Sequence, residues 1–164
     1  MMASSGNIVG LDFKTKAALL HHMLHGPTIQ VKDIFKFALS GAVCTPKLQL
    51  MSEAAWKIWK KVYPKDLFKD GARCHHHACT INEHAVPVEV LYRWLLDNKD
   101  SLSINDIANA LKRCQVAVIS KDEDKQLNAA GLRNKMPVDE FDVLNDDPLM
   151  RYKAINLKLH AWSA

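Results

Sequence analysis

Long apolar runs are missing from this chain of 164 residues. No stretch reaches the roughly 18 apolar residues that a membrane-crossing helix needs. Glycine and proline are scarce, six of each, too few for a disordered or low-complexity protein. The opening, Met1 to Gly10, has neither the basic nor the apolar region of a secretory signal, so a cytoplasmic setting is expected. The four cysteines are Cys44, Cys74, Cys79 and Cys114. In a reducing compartment they read as thiols or metal ligands before they read as disulfides. Neither sign of charge dominates: 22 Lys+Arg stand against 18 Asp+Glu, for a net charge of +4 with the eight His neutral. That bias is compatible with a phosphate-bearing partner and carries little by itself. A Gly-rich phosphate loop and a Gly-x-Ser-x-Gly elbow are both lacking, so nucleotide-binding and α/β-hydrolase readings have no support.

What is present is the composition of one globular domain, 48% hydrophobic and 24% charged. The first half reads as helical. Leu19, Leu20, Met23 and Leu24 fall on one face of a helix from Lys16 to Leu24. After Gly26-Pro27, Val31, Ile34, Phe35 and Ala38 form an amphipathic stripe. Ser52 caps a third helix, with Ala55, Trp59 and Val62 inward and Lys57, Lys60 and Lys61 outward. Pro87 opens a helix carrying Val88, Leu91 and Leu95. Ser103 and Asp106 make a capping box ahead of Ile104, Ile107, Ala108 and Leu111. Val116 to Ile119 is the best strand candidate. Asp122 is expected to cap a helix running to about Ala130 and closed by Gly131, and Asp147-Pro148 to start a last helix through Tyr152. The expected class is α+β, mostly helical. Residues 1–66 form a helical N-terminal region, 67–137 a small core and 138–164 a C-terminal extension, within one compact unit.

Chemistry concentrates in the middle third. From Cys74 the chain runs Cys-His-His-His-Ala-Cys-Thr-Ile-Asn-Glu-His, followed by Ala-Val-Pro. Glu83 and His84 are adjacent, so an extended backbone points them to opposite faces, although the end of a twisted hairpin can bring them together. A carboxylate on a divalent ion beside an imidazole that takes a proton from water is the pairing for phosphodiester hydrolysis. Equally, the two are an ordinary surface or core Glu and His.

Glu83-His84-Ala85-Val86-Pro87, then the apolar strand, then Ser120-Lys121-Asp122-Glu123-Asp124-Lys125 entering a helix, resembles the ββα-metal motif of the HNH nuclease superfamily. The resemblance spans Cys74 to Pro137. It implies a helical N-terminal part joined to a small ββα-metal core. It makes His84 the general base and Glu83 a metal ligand. Asp124 becomes the second ligand, with Asn128 one turn on as its competitor, and Arg133 and Lys135 hold substrate phosphates. The implied cofactor is Mg²⁺, with Mn²⁺ as substitute. The implied activity is endonucleolytic hydrolysis of DNA, in a restriction, phage or toxin-like role, with duplex cleavage favouring a homodimer. A structural Zn²⁺ at Cys74 and Cys79 is conceivable, but the spacing favours thiols in a core. His21 and His25 sit four apart on the first helix, which reads as a solvated face. The N-terminal helices, with Lys32, Lys36, Lys47, Lys57, Lys60 and Lys61, read as packing elements with incidental phosphate contact, and DNA docking is the alternative. The rival function is a non-catalytic helical regulator that binds DNA or protein.

Overall fold

Side-chain caps decide where most of the helices begin. The computed structural model describes residues 11–27, 32–43, 49–62 and 79–162. Asp12 caps α1 (Phe13–His25), its Oδ1 accepting from the N–H groups of Lys14 at 2.9 Å and Thr15 at 3.0 Å. Next come α2 (Lys32–Val43), β1 (Gln49–Ser52) and α3 (Glu53–Val62). The Ser52 hydroxyl accepts from Ala55 N–H at 3.1 Å, the expected cap. After β2 (Thr80–His84), α4 (Val88–Asp97) starts directly behind Pro87. The capping box of Ser103 and Asp106 opens α5 (Ile104–Arg113) as expected. Then follow β3 (Val116–Ser120), α6 (Lys121–Ala129), α7 (Met150–Ala154) and β4 (Leu159–Trp162). The class is α+β with helices predominating. Among the described residues no helix is long and apolar enough to cross a membrane.

The sheet order is β2-β3-β1-β4, with β1 parallel to β3 and the other two pairings antiparallel. Alternation along β3 divides its side chains between two environments. Ala117 and Ile119 pack with Leu127 of α6, Leu132, Tyr152 of α7 and Leu157. Val118 faces the other way, against Met51, Ala55 and Trp59 of the β1–α3 unit. On that second side Val116 borders the largest core, built by α1, α2, α4 and α5 around Leu20, Phe35, Leu91, Leu95, Ile107 and Leu111. This core also takes in Met136 and Val143. The three segments expected from the sequence therefore share their cores.

Several local expectations are corrected. Leu19 is 41% exposed, because α1 turns Ala17, Leu20 and Leu24 inward instead. Ile104 is also exposed, at the first turn of α5. Asp122 is not the cap of α6. Ser120 and Glu123 form a capping box that starts the helix earlier, with Glu123 N–H donating to the Ser120 hydroxyl at 3.2 Å and Ser120 N–H to Glu123 Oε2 at 2.7 Å. Asp147 does not cap α7, which starts at Met150. Its carboxylate accepts from Leu149 N–H at 2.9 Å and pairs with Lys153. Strands β1 and β4 have no counterpart among the sequence expectations. Val31, Cys44, Pro46, Lys47 and Pro64 lie outside the described residues, as do the side chains of Ile34 and Val62.

Gly131 does close α6. It adopts φ 71°, and two bonds finish the helix: Gly131 N–H to Asn128 C=O at 3.0 Å, and Leu132 N–H to Leu127 C=O at 2.9 Å. This is a Schellman motif, in which Leu132 also packs with Leu127. The turn sends the chain back across the face where Glu83 lies.

Candidate functional site

Strand β2 carries Glu83 and His84 as its last two residues. Glu83 is the register partner of Ala117 and His84 that of Val116. Cross-strand partners share a face, so Glu83 stands on the α6–α7 side and His84 on the side of the large helical core. Their hydrogen bonds agree. Glu83 pairs with Arg151 of α7, whereas His84 Nε2 lies 3.2 Å from the hydroxyl of Ser40 in α2. The sheet separates the two groups that the motif joins in sequence.

Arg151 is fully buried. It donates to the carbonyls of Leu132 at 3.0 Å and Arg133 at 3.2 Å, and its remaining terminal nitrogen holds the Glu83 carboxylate. A buried guanidinium is tolerated only where a counter-charge and several acceptors surround it. The loop closing α6 supplies the acceptors and β2 the charge. Two buried atoms here have no hydrogen-bond partner among the described residues, Arg151 Nε and the Tyr152 hydroxyl. Burial pushes the Glu83 carboxyl above its ordinary range, the Arg151 charge opposes this, and the Asp124 charge adds to it. Burial also raises the Tyr152 hydroxyl. His84 is lowered by burial, so its imidazole is neutral at neutral pH.

The other expected site residues are spread around this cluster. Asp124 is close enough for its charge to act on Glu83, but its carboxylate accepts from Asn128 Nδ2 at 3.2 Å. The two competing ligands thus bond one another across a helical turn. Arg133 is exposed, and its charge reaches Glu83. Lys135 is exposed along a different surface, the groove beside α4. Among the described residues, no group of three His, Cys, Asp or Glu side chains is gathered to hold a metal ion. Of the set Glu83, Asp124 and Asn128 expected to hold Mg²⁺ or Mn²⁺, the strongest donor, Glu83, is engaged through Oε1 by the chain's own cation, Arg151. Cys79 is exposed and Cys114 buried, its thiol pushed up to about 12 by burial and so unreactive. Cys74 and His75 to His77 lie outside the described residues, and the zinc expectation lies there with them.

Sequence reasoning missed Arg151, Tyr152 and Ser40. Nothing local marks them: Arg151 sits in a five-residue helix whose neighbours are Met150 and Tyr152. It also missed the groove between α4 and residues 134–144, an open concavity of about 980 Å³ whose apolar lining includes Trp94, Met136, Val138 and Phe141. From sequence, Trp94 reads as a packing residue and nothing more.

The chain matches no protein-family model, no curated protein and no solved structure.

Proposed function

We propose that this protein is a non-catalytic binding module, with Glu83 and His84 serving its architecture. One observation carries the reading. The carboxylate that a nuclease would spend on a divalent cation is bound to Arg151, a side chain with no exposure to solvent. Removing a buried guanidinium from its carboxylate is costly, about 3–5 kcal/mol. An ion entering at Glu83 would have to compete with that guanidinium for the carboxylate's charge. His84, across the sheet, has Ser40 as its partner and faces away from Glu83, where a base would have to take the proton from a metal-bound water.

A second reading, DNA hydrolysis of HNH type, has two specific supports. Strand β2, its antiparallel neighbour β3 and helix α6 follow in strand–strand–helix order, with α4 and α5 inserted. The neutral imidazole of His84 also suits a base.

One assay separates the two. Supercoiled plasmid is incubated with the purified protein and Mg²⁺ or Mn²⁺, beside His84→Ala and Glu83→Gln, with circular dichroism to confirm that each variant is folded. The binding reading expects no nicking above a protein-free control. Nicking by the wild type that disappears in a folded His84→Ala protein would overturn it and restore the nuclease.

A further inference from the structure

The groove beside α4 combines two features, an apolar lining and an excess of carboxylates. Its lining includes apolar and aromatic side chains, with Trp94, Leu102, Phe141 and Leu144 partly exposed and Val138 37% exposed. The same lining is acidic: six carboxylates stand against two cations, Arg93 and Lys135. The chain as a whole carries net charge +4, so this is a segregated negative surface on a positive protein.

Three of those carboxylates serve the fold. Glu89 is held by Lys36, Lys32 and Arg93, which bring it down to about 2. Asp106 caps α5, and Asp142 binds Asn145 and the Leu144 N–H. The other three, Asp97, Asp139 and Glu140, are exposed and make no hydrogen bond or ion pair among the described residues. Exposed carboxylates without a partner bring no ion-pair stability to the free protein. Opposite charge from a partner would satisfy them.

We propose that the groove is the docking site for a cationic amphipathic segment of a protein partner. Its apolar side chains would lie on Trp94, Phe141 and Val138, with lysines or arginines opposite Asp97, Asp139 and Glu140. The volume, near the upper end for binding cavities, suits a few turns of helix laid into a hydrophobic groove. The sign of the charge excludes a nucleic-acid backbone here, because phosphates would meet three unpaired carboxylates. The proposal rests on the non-catalytic binding reading and supplies its surface and its partner's chemistry.

The test uses the full chain and three fluorescently labelled synthetic peptides of equal length, measured by anisotropy near physiological salt. In the first, leucines recur at i, i+3, i+4 and i+7 and lysines fill the outer face. In the second, glutamates replace the lysines. The third has the composition of the first with the apolar face scrambled. The first peptide is expected to bind saturably, and at least tenfold more tightly than either of the others. The double variant Asp139→Lys/Glu140→Lys, whose changes are both at exposed positions, should weaken that binding about tenfold or more. Lys60→Glu/Lys61→Glu, on α3, should leave it unchanged. Equal binding of the scrambled or acidic peptide overturns the proposal, as does the absence of saturable binding or an unaffected groove variant. Self-association of the chain that is abolished by the groove variant would assign the surface to a second copy and also overturn it. The readout needs neither metal nor DNA. Plasmid nicking that is lost in His84→Ala would therefore defeat the non-catalytic reading while leaving this result standing, and failed peptide binding would defeat the groove alone.

Discussion

The two sides of the sheet are stabilised in different ways. On one side, four helices bring apolar stripes together around Leu20, Phe35, Leu95 and Leu111, and hydrophobic burial supplies most of the stabilisation. On the other, the apolar set is smaller and is fixed by directional polar contacts. Arg151 ties α7 to the loop after α6 and to β2. Glu123 accepts from both the Ser120 N–H and the Ser52 hydroxyl, the latter at 2.6 Å, joining α6 to the strand β1. The first side tolerates conservative exchange because area is non-directional. On the second, each polar group is fixed by its partners, and losing one leaves another stranded.

The largest effect separating the two sides should come from Arg151. Arg151→Met strands the Glu83 carboxylate and is expected to cost about 3–5 kcal/mol in urea denaturation. The double variant Glu83→Met/Arg151→Met should recover much of that loss. If the double variant were as unstable as the single one, the pair would not be the source of the cost. Leu111→Ala on the helical side should cost a comparable amount, about 2–5 kcal/mol, but a volume-conserving Leu111→Met less than about 1.5 kcal/mol. No conservative exchange should rescue Arg151, and Arg151→Lys is expected to fall well short of wild type because one ammonium cannot span the carboxylate and both carbonyls.

A smaller effect is expected at Gly131. With φ at 71°, Gly131→Ala should lose about 1–2 kcal/mol by thermal melting. The cost is confined to that backbone strain, since beyond its chain neighbours an added Cβ would meet only the Lys135 side chain, at 3.8 Å. Smaller still, Ser103→Ala and Ser120→Ala each remove a capping box and should each cost about 1 kcal/mol. The Ser120 variant should lose more, because its box also positions the Glu123 carboxylate that accepts from Ser52.

The least of these effects is a pH slope. The folded-state pKa of His84 lies below its ordinary value of 6.5. The unfolded chain therefore takes up that proton first as the medium is acidified, and stability falls as the pH drops through 6.5. His84→Asn should flatten this part of the profile when melting temperature is followed from about pH 7.5 to about 5.5. An unchanged slope would mean that another group controls it. The raised pKa of Glu83 acts in the opposite sense, its contribution to stability falling as the pH rises above its ordinary 4.5.

Legibility from sequence follows the same division. Helices on the burial-dominated side are spelled out locally: Leu91 and Leu95 repeat at helical spacing, and Ser103 with Asp106 marks a start. Both features stand in the structure. On the polar side the decisive partners are far apart in the chain. Glu83 meets Arg151, and Ser52 meets Glu123. Short strands such as Gln49–Ser52 and Leu159–Trp162 acquire their character from register partners rather than from their own residues. Glu83 and His84 could be picked out as residues able to do chemistry. Which face each occupies depends on the pairing of β2 with β3, and Arg151, the partner that changes the meaning of Glu83, carries no local signal.

The position of β1 has a consequence for how the protein assembles during synthesis. This strand is made early, yet both of its neighbours, β3 and β4, emerge much later. Until they do, the backbone of Leu50 and Met51 presents two unsatisfied edges. Closure of the long intervening loops sets the pace at which it is claimed. The helices between can settle on one another while the ribosome is still at work. The sheet is completed only when β4 is free of the exit tunnel, and a stall before that point leaves a sticky ribbon exposed for other chains to find.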